Sequence, residues 1–271
     1  MPELPEVENV CRDLTELIPL RAKIKEWRFF RPDLRFKIPK SKLESLKGRP
    51  LRGISRRAKY ILFDFDDKIL ISHLGMTGTW RLAAQNWVRE KHDHLAFVLE
   101  DGKIFLYADP RRFGFVEVID KGQLGKRFSL LGVEPLDKKT DFLELSRAFL
   151  KLSSPIKNAL MNQKLVVGVG NIYAAETLFA AGVSPFKSCS KITQKQYQKI
   201  WKELIRILNR AVFMGGSTID NYRNGFGEKG DFQSEFWVYG RAGESCRRCG
   251  ENIKSKFQAG RNSFWCPNCQ K

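Results

Sequence analysis

The sequence predicts an α+β fold: an N-terminal antiparallel β-sandwich with flanking helices, then a helical segment, then a short cysteine-pinned hairpin. Three observations carry that prediction. Between residues 60 and 119, apolar runs of strand length recur with turn signals between them. Between 136 and 213, apolar residues return at helical spacing instead. Four of the six cysteines fall after residue 245, as two Cys-x-x-Cys pairs.

The opening helix is expected from about Pro5 to Leu17, with Val7, Val10, Cys11, Leu14 and Leu17 or Ile18 on one face. Pro5 suits the first helical position, where a missing N–H costs nothing, and Pro19 closes the helix. Strands are expected at Tyr60–Phe65, Ile69–Leu74, Leu95–Leu99, Ile104–Tyr107 and Phe113–Ile119. Asp66-Asp67 and Asp101-Gly102 mark hairpins between neighbours. After Pro135 the period changes. Thr193 caps a helix whose stripe is Tyr197, Ile200, Trp201, Leu204, Ile205, Leu208, Ala211 and Val212, and Gly215-Gly216 ends it. Residues 217–240 are polar, glycine-rich and aperiodic, which reads as a long functional loop. The expected division is 1–135, 136–240 and 241–271.

Lys and Arg number 48 against 30 Asp and Glu, a net charge of +18. An excess that large favours a polyanionic partner, nucleic acid before others. No apolar run reaches the length of a membrane span, and the acidic, proline-broken start does not read as a secretory signal.

Cys246-x-x-Cys249 and Cys266-x-x-Cys269, sixteen residues apart, have the spacing of a four-thiolate zinc site in a reducing compartment. One structural zinc is expected, because four thiolates leave no open coordination position. Arg261 falls where such a hairpin turns and offers a basic tip to nucleic acid. Val167-Gly-Val-Gly-Asn171 leads into an alanine-rich helix stopped by Gly182, with Asn171 at the cap position and Lys157 upstream. Free N–H groups at such a turn suit a phosphate, although a helix–turn–helix packing unit accounts for it equally well.

The start, Met1-Pro-Glu-Leu-Pro-Glu-Val-Glu8, is more specific. Pro2 is small enough for Met1 to be removed, which would leave a secondary amine. An α-amino group has a pKa of about 7.7–8.0, far below lysine's, so a sizeable fraction, roughly a tenth or more, is neutral and nucleophilic at pH 7. Attack on a sugar C1′ by such an amine gives an iminium directly, and Glu3 beside it can move the protons.

These pieces together resemble the formamidopyrimidine-DNA glycosylase family, bacterial enzymes that excise 8-oxoguanine. The resemblance runs through residues 2–8, Arg56–Tyr60 (RRAKY), Ser72–Gly78 (SHLGMTG), Lys91–His94 (KHDH) and Asp109–Gly114 (DPRRFG). It continues through Val166–Glu176 (VVGVGNIYAAE), Gly215–Thr218 (GGST) and the cysteine ribbon.

The resemblance implies a helix–two-turn–helix domain before a zinc ribbon. It implies a bifunctional glycosylase and abasic-site lyase for base-excision repair of 8-oxoguanine and formamidopyrimidines, a hydrolase that completes β,δ-elimination. Pro2 would be the Schiff-base nucleophile, Glu3 the acid/base, and Lys59 and Arg261 the partners in strand elimination. His73, His92, Arg111, Lys157 and Asn171 would contact DNA, and Met76, Arg111 and Phe113 would fill the gap left by the extruded base. Glu176 would be an interior acid near the active site, and the 217–240 loop would close over the damaged purine. The implied partner is double-stranded DNA carrying damaged bases, met by a monomer in the bacterial cytosol at the nucleoid. Three alternatives stay open: an endonuclease VIII-like enzyme for oxidised pyrimidines, a non-catalytic damaged-DNA-binding protein, and a zinc-ribbon RNA or transcription factor.

Overall fold

A computed structural model describes residues 1–84, 86–218 and 223–271, arranged as two compact units. The first comprises Met1–Leu130 and Met214–Gln233, the second Leu131–Phe213 and Ser234–Lys271.

The first unit opens with α1 (Leu4–Leu17). Two four-stranded antiparallel sheets follow. One runs in the order β1 (Ile24–Phe29), β6 (Asp93–Leu99), β7 (Ile104–Ala108), β5 (Thr79–Leu82). The other runs β2 (Gly53–Arg57), β3 (Tyr60–Phe65), β4 (Lys68–His73), β8 (Phe115–Asp120). Short helices α2 (Lys40–Glu44) and α3 (Leu124–Arg127) flank them. The inner faces meet through Phe63, whose ring lies 6.3 Å from Phe97 and 5.9 Å from Trp80. Val7, Val10 and Leu14 of α1 join the same apolar core. The two sheets pack face to face, and their central strands β4, β6 and β7 are buried on both sides.

Both expected hairpins form, with Tyr60 opposite His73 in one and Val98 opposite Ile104 in the other. Pro5 is the second residue of α1 rather than the first, since Glu3 is the N-cap; its missing N–H is still one the helix cannot use. The last strand begins at Phe115, not Phe113, because Asp109 holds residues 109–114 as a loop.

The second unit carries α4 (Phe142–Leu150), α5 (Ile156–Leu160), α6 (Asn171–Ala181) and α7 (Gln194–Phe213). Its hairpin pairs β9 (Lys254–Gln258) with β10 (Arg261–Trp265). Thr193 caps α7 as expected: its Oγ1 accepts from Gln196 N at 3.2 Å, and the Gln196 side chain accepts from Thr193 N at 3.0 Å. The buried stripe of α7 contains Ile207 where the spacing suggested Ile205, which is only half-buried; both border the stripe, and the packing surface favours the edge bearing Ile207.

Candidate functional site

In the first unit, Pro2 is buried directly ahead of α1, and Glu3, 3% exposed, is the N-cap in extended backbone. Met1 precedes Pro2, so the prolyl nitrogen is here a tertiary amide without a nucleophilic lone pair. Beside them lies a carboxylate that the sequence reading passed over. Glu6 is 2% exposed and accepts from Glu3 N at 2.8 Å, Ser217 N at 2.7 Å and Ser217 Oγ at 3.0 Å. A buried carboxylate needs such donors. Gly216, at φ 80°, leaves room for it, since a Cβ there would lie 2.9 Å from Glu6 Oε1. Glu6 therefore ties the start of α1 to the first residue of the long loop. Its only local signal was the three-residue spacing from Glu3, that of a capping box.

Lys59 is buried in the two-residue turn between β2 and β3, where Ala58 takes a left-handed φ of 53°. Its charge is one of the influences on His73, at the end of β4. Burial, then the Lys59 cation, then Arg35 and Arg127, hold the His73 imidazole down at about 4. Gly75 N donates to His73 Nδ1 at 3.0 Å, so the neutral ring carries its proton on Nε2. The ring stacks on Phe115 with centroids 5.4 Å apart.

A pH dependence follows. The native pKa lies below the ordinary value of 6.5, so between them the unfolded chain takes up a proton that the native ring refuses. Stability is thus full above pH 6.5 and falls as pH drops toward 4, by on the order of 2–3 kcal/mol. Urea unfolding at pH 7 and pH 4.5 should show that loss in the wild type and a flatter profile in His73→Gln. Equal losses in both would refute the assignment.

Two loops next to His73 pack backbone to backbone. Gly75, at φ 63°, leaves no space for a Cβ, which would fall 2.3 Å from Gly114 N. Fully buried Asp109 accepts from Thr77 Oγ1 at 2.6 Å and Gly114 N at 2.8 Å, and Arg111 N donates to Thr77 Oγ1 at 3.0 Å. The result is a fixed platform. Met76 is half-buried on it, Arg111 and Phe113 are exposed, and the Arg111 guanidinium sits 5.0 Å from the Phe113 ring centroid. Half-buried His92 joins through its carbonyl, which accepts from Asp109 N at 3.1 Å. The sequence-predicted residues of this unit thus fall on the start of α1, one hairpin turn and two interlocked loops.

In the second unit, the glycine turn is organised by Gln163, whose side chain accepts from Gly168 N at 2.8 Å and donates to Val169 O at 2.9 Å. The N-cap of α6 is Gly170, not Asn171. Asn171 is freed from capping because its side chain reaches across the unit and donates to Asn262 O at 3.0 Å. Lys157, 1% exposed, donates to the same carbonyl at 3.2 Å and to Ser263 Oγ at 2.6 Å. Lys157 and Asn171 therefore converge on the residue next to Arg261. Arg261 is exposed and opens β10 opposite Gln258, one residue past the Ala259-Gly260 turn.

Glu176 is buried in α6, and its carboxylate accepts from the backbone N–H groups of Trp237, Val238 and Tyr239 at 2.8–3.0 Å. Burial raises its pKa, and those three hydrogen bonds oppose the rise. Within its unit, this interior acid fastens the turn at 237–239 that leads into the ribbon.

The sulfurs of Cys246, Cys249, Cys266 and Cys269 all lie within 4.8 Å of one another. A tetrahedral zinc with Zn–S bonds of about 2.3 Å sets sulfurs about 3.8 Å apart. The measured 4.0 Å between Cys246 and Cys269 and 3.4 Å between Cys249 and Cys266 fit it. Backbone N–H groups of Arg248 and Cys269 point at Cys246 Sγ and Cys266 Sγ, each at 3.4 Å, as in a zinc knuckle. All four thiolates are used, so the metal is structural.

Residues 1–116 match the formamidopyrimidine-DNA glycosylase N-terminal domain and residues 131–223 the H2TH domain of the same enzymes. Residues 243–271 match the zinc finger found in FPG and IleRS. The formamidopyrimidine-DNA glycosylase of Bdellovibrio bacteriovorus is 42% identical over 271 residues, covering all of both chains. The chain belongs to the formamidopyrimidine-DNA glycosylase family. Solved family members superpose along its whole length. The Lactococcus lactis Fpg in complex with abasic-site DNA gives a TM-score of 0.92 at 38% identity, with 99% of each chain covered. MutM in complex with DNA containing carbocyclic 8-oxo-G gives 0.91 at 38%, with both chains fully covered.

Family membership confirms the sandwich, the helix–two-turn–helix domain, the four-cysteine zinc finger and the DNA-glycosylase class. The two remaining cysteines have core positions. Cys11 packs among the apolar residues of α1 with its thiol 3.4 Å from Ser55 O, and Cys189 is buried with its carbonyl accepting from Tyr197 OH at 2.9 Å. Burial raises both thiol pKa values. Of the loop 217–240, residues 219–222 lie outside the described residues, and Asn221 and Tyr222 with them. Among the described residues, no helix is long and apolar enough to cross a membrane.

Proposed function

We propose that this chain excises oxidised purines, 8-oxoguanine and formamidopyrimidines, from double-stranded DNA and then cleaves the abasic strand through a Schiff base on Pro2. The observation that best supports this is Glu6, which joins the helix start bearing Pro2 and Glu3 to Ser217 at the base of the loop assigned to the damaged base.

With Met1 removed, the Pro2 nitrogen attacks C1′ of the damaged nucleoside. The C1′–N bond breaks, its electron pair leaves with the base, and the base takes up a proton. Pro2 nitrogen gives up its own proton, and its lone pair then forms the iminium as the C1′–O4′ bond breaks and O4′ takes up a proton, which opens the sugar ring. Glu3 moves protons at the sugar. The iminium acidifies C2′–H; loss of that proton expels the 3′ phosphate, a second elimination expels the 5′ phosphate, and water releases the prolyl amine. Lys59 assists the first elimination, and Arg261 grips the phosphates and donates a proton in the second. His73, neutral at pH 7, donates one hydrogen bond to the backbone rather than a charge. His92, Arg111 and Asn171 complete the backbone grip. Lys157, expected from the resemblance to contact DNA, is buried and serves the grip indirectly by holding the Asn262 carbonyl next to Arg261.

Extruding a base forfeits a few kcal/mol of stacking and pairing. Met76 and the Arg111–Phe113 pair recover part of it by occupying the gap. The work belongs in the bacterial cytosol, at the nucleoid, where thiols stay reduced for zinc. Excision measured on matched duplexes should favour 8-oxoguanine over thymine glycol by at least about tenfold, roughly 1.4 kcal/mol of transition-state preference. The opposite order would move the chain to the oxidised-pyrimidine branch.

A further inference from the structure

Helix α1 holds the long loop at a second point that no motif accounts for. Asp13 stands seven residues, two helical turns, beyond Glu6 and on the same face. Its Oδ2 accepts from Gly225 N at 2.8 Å, across 212 residues of sequence. The fit is close, because a Cβ on Gly225 would lie 2.7 Å from Asp13 Cβ. The neighbours of Gly225 are fixed as well. Leu82 N donates to Gly225 O at 3.3 Å, and Thr79 Oγ1 donates to Arg223 O at 2.9 Å. Asn224 Oδ1 closes a turn by accepting from Phe226 N at 3.1 Å and Glu228 N at 2.8 Å. The chain then returns to its point of departure, where Ser217 bridges Asp231 and Gly230 N donates to Thr218 Oγ1 at 2.9 Å.

We infer that Asp13 is a positioning residue for base excision, pinning Gly225 so that the loop assigned to the damaged base is held at its near end by Glu6 and at its far end by Asp13. This rests on the function proposed above. The pin acts on a substrate only through the loop, and the loop meets a base. A strand that has already lost its base has nothing for the loop to hold. Asp13 should therefore matter for excision and not for cleavage of a ready-made abasic site, a split that a merely structural residue would not produce.

Single-turnover assays on a formamidopyrimidine duplex and on an abasic duplex test this. Asp13→Ala should slow excision about tenfold, the worth of one such hydrogen bond, and leave abasic cleavage within about twofold. Asp13→Asn, which keeps an acceptor oxygen, should restore excision. Gly225→Ala, which crowds the pin from the loop side, should reproduce the selective loss. Equal effects on both substrates, no effect on either, or no restoration by asparagine would overturn the inference. Amide hydrogen exchange at Gly225 reads the pin without catalysis: it should quicken about tenfold in Asp13→Ala, and unchanged exchange also overturns the inference. A wild-type chain that leaves the formamidopyrimidine untouched, while Gly225 responds as expected, would instead overturn the proposed function.

Discussion

Pro2→Gly should lower the yield of borohydride-trapped protein–DNA adduct by roughly a hundredfold or more on an 8-oxoguanine duplex. Glycine at that position still ends in an amine once Met1 is gone, so the loss would come from geometry and amine class. Proline fixes φ and forms a permanently charged iminium on attack, whereas a glycine terminus ahead of α1 swings freely and must give up that freedom to react. The wild-type comparison must use chain whose N-terminal mass shows Met1 removed. Chain retaining Met1 should trap no adduct at all, because an amide nitrogen cannot form an iminium. Equal trapping by wild type and Pro2→Gly would place the nucleophile elsewhere, with buried Lys59 the next residue to test.

The second large effect concerns the metal. Stripping zinc, or replacing Cys266 by serine, should weaken DNA binding by about a hundredfold while the β-sandwich unfolds at an unchanged temperature. Structural zinc is worth about 10 kcal/mol or more to a small ribbon, which has little other core. Here that core is Cys246, Cys266, Ile253 and Val238 against Ala175 and Phe179 of α6. Without the knuckles, β9 and β10 lose their register, and Arg261 loses the fixed place next to the carbonyl that Lys157 and Asn171 hold. Undiminished affinity in zinc-free protein would remove the ribbon from the DNA-binding surface.

How far the sequence revealed this arrangement depends on the range of the forces involved. Strands β3, β4, β6, β7 and β8 were legible because their apolar runs are bounded by turns. The strands missed are β1, β2 and β5, all at sheet edges. Edge strands carry charge to discourage further pairing, and Lys25, Glu26, Arg28, Arg56, Arg57 and Arg81 break the apolar signal there. The site divides similarly. The ribbon cysteines and the Pro2-Glu3 start lie in short motifs whose residue types suggest their chemistry, whereas Lys59, Arg111 and Phe113 drew their expected roles only from the family resemblance. Glu6, Asp13 and Asp109 work by accepting hydrogen bonds from backbone that is distant in sequence or hidden in a loop. Nothing local to a carboxylate says which amide it will receive. Asn171 shows the opposite failure: its position suggested a cap, but a carbonyl 91 residues away took its side chain.

The three amides of Trp237, Val238 and Tyr239 that meet on Glu176 have a consequence for the order of assembly. A carboxylate enclosed without donors costs several kcal/mol, so α6 cannot settle into its final burial until a stretch 61 residues later has been synthesised and has docked. Until then the Glu176 carboxylate keeps its hydrogen bonds to water and the helix stays loosened. Docking of residues 237–239 brings the cysteine ribbon up behind them. The interior of α6 is thus completed by a segment 61 residues further along the chain.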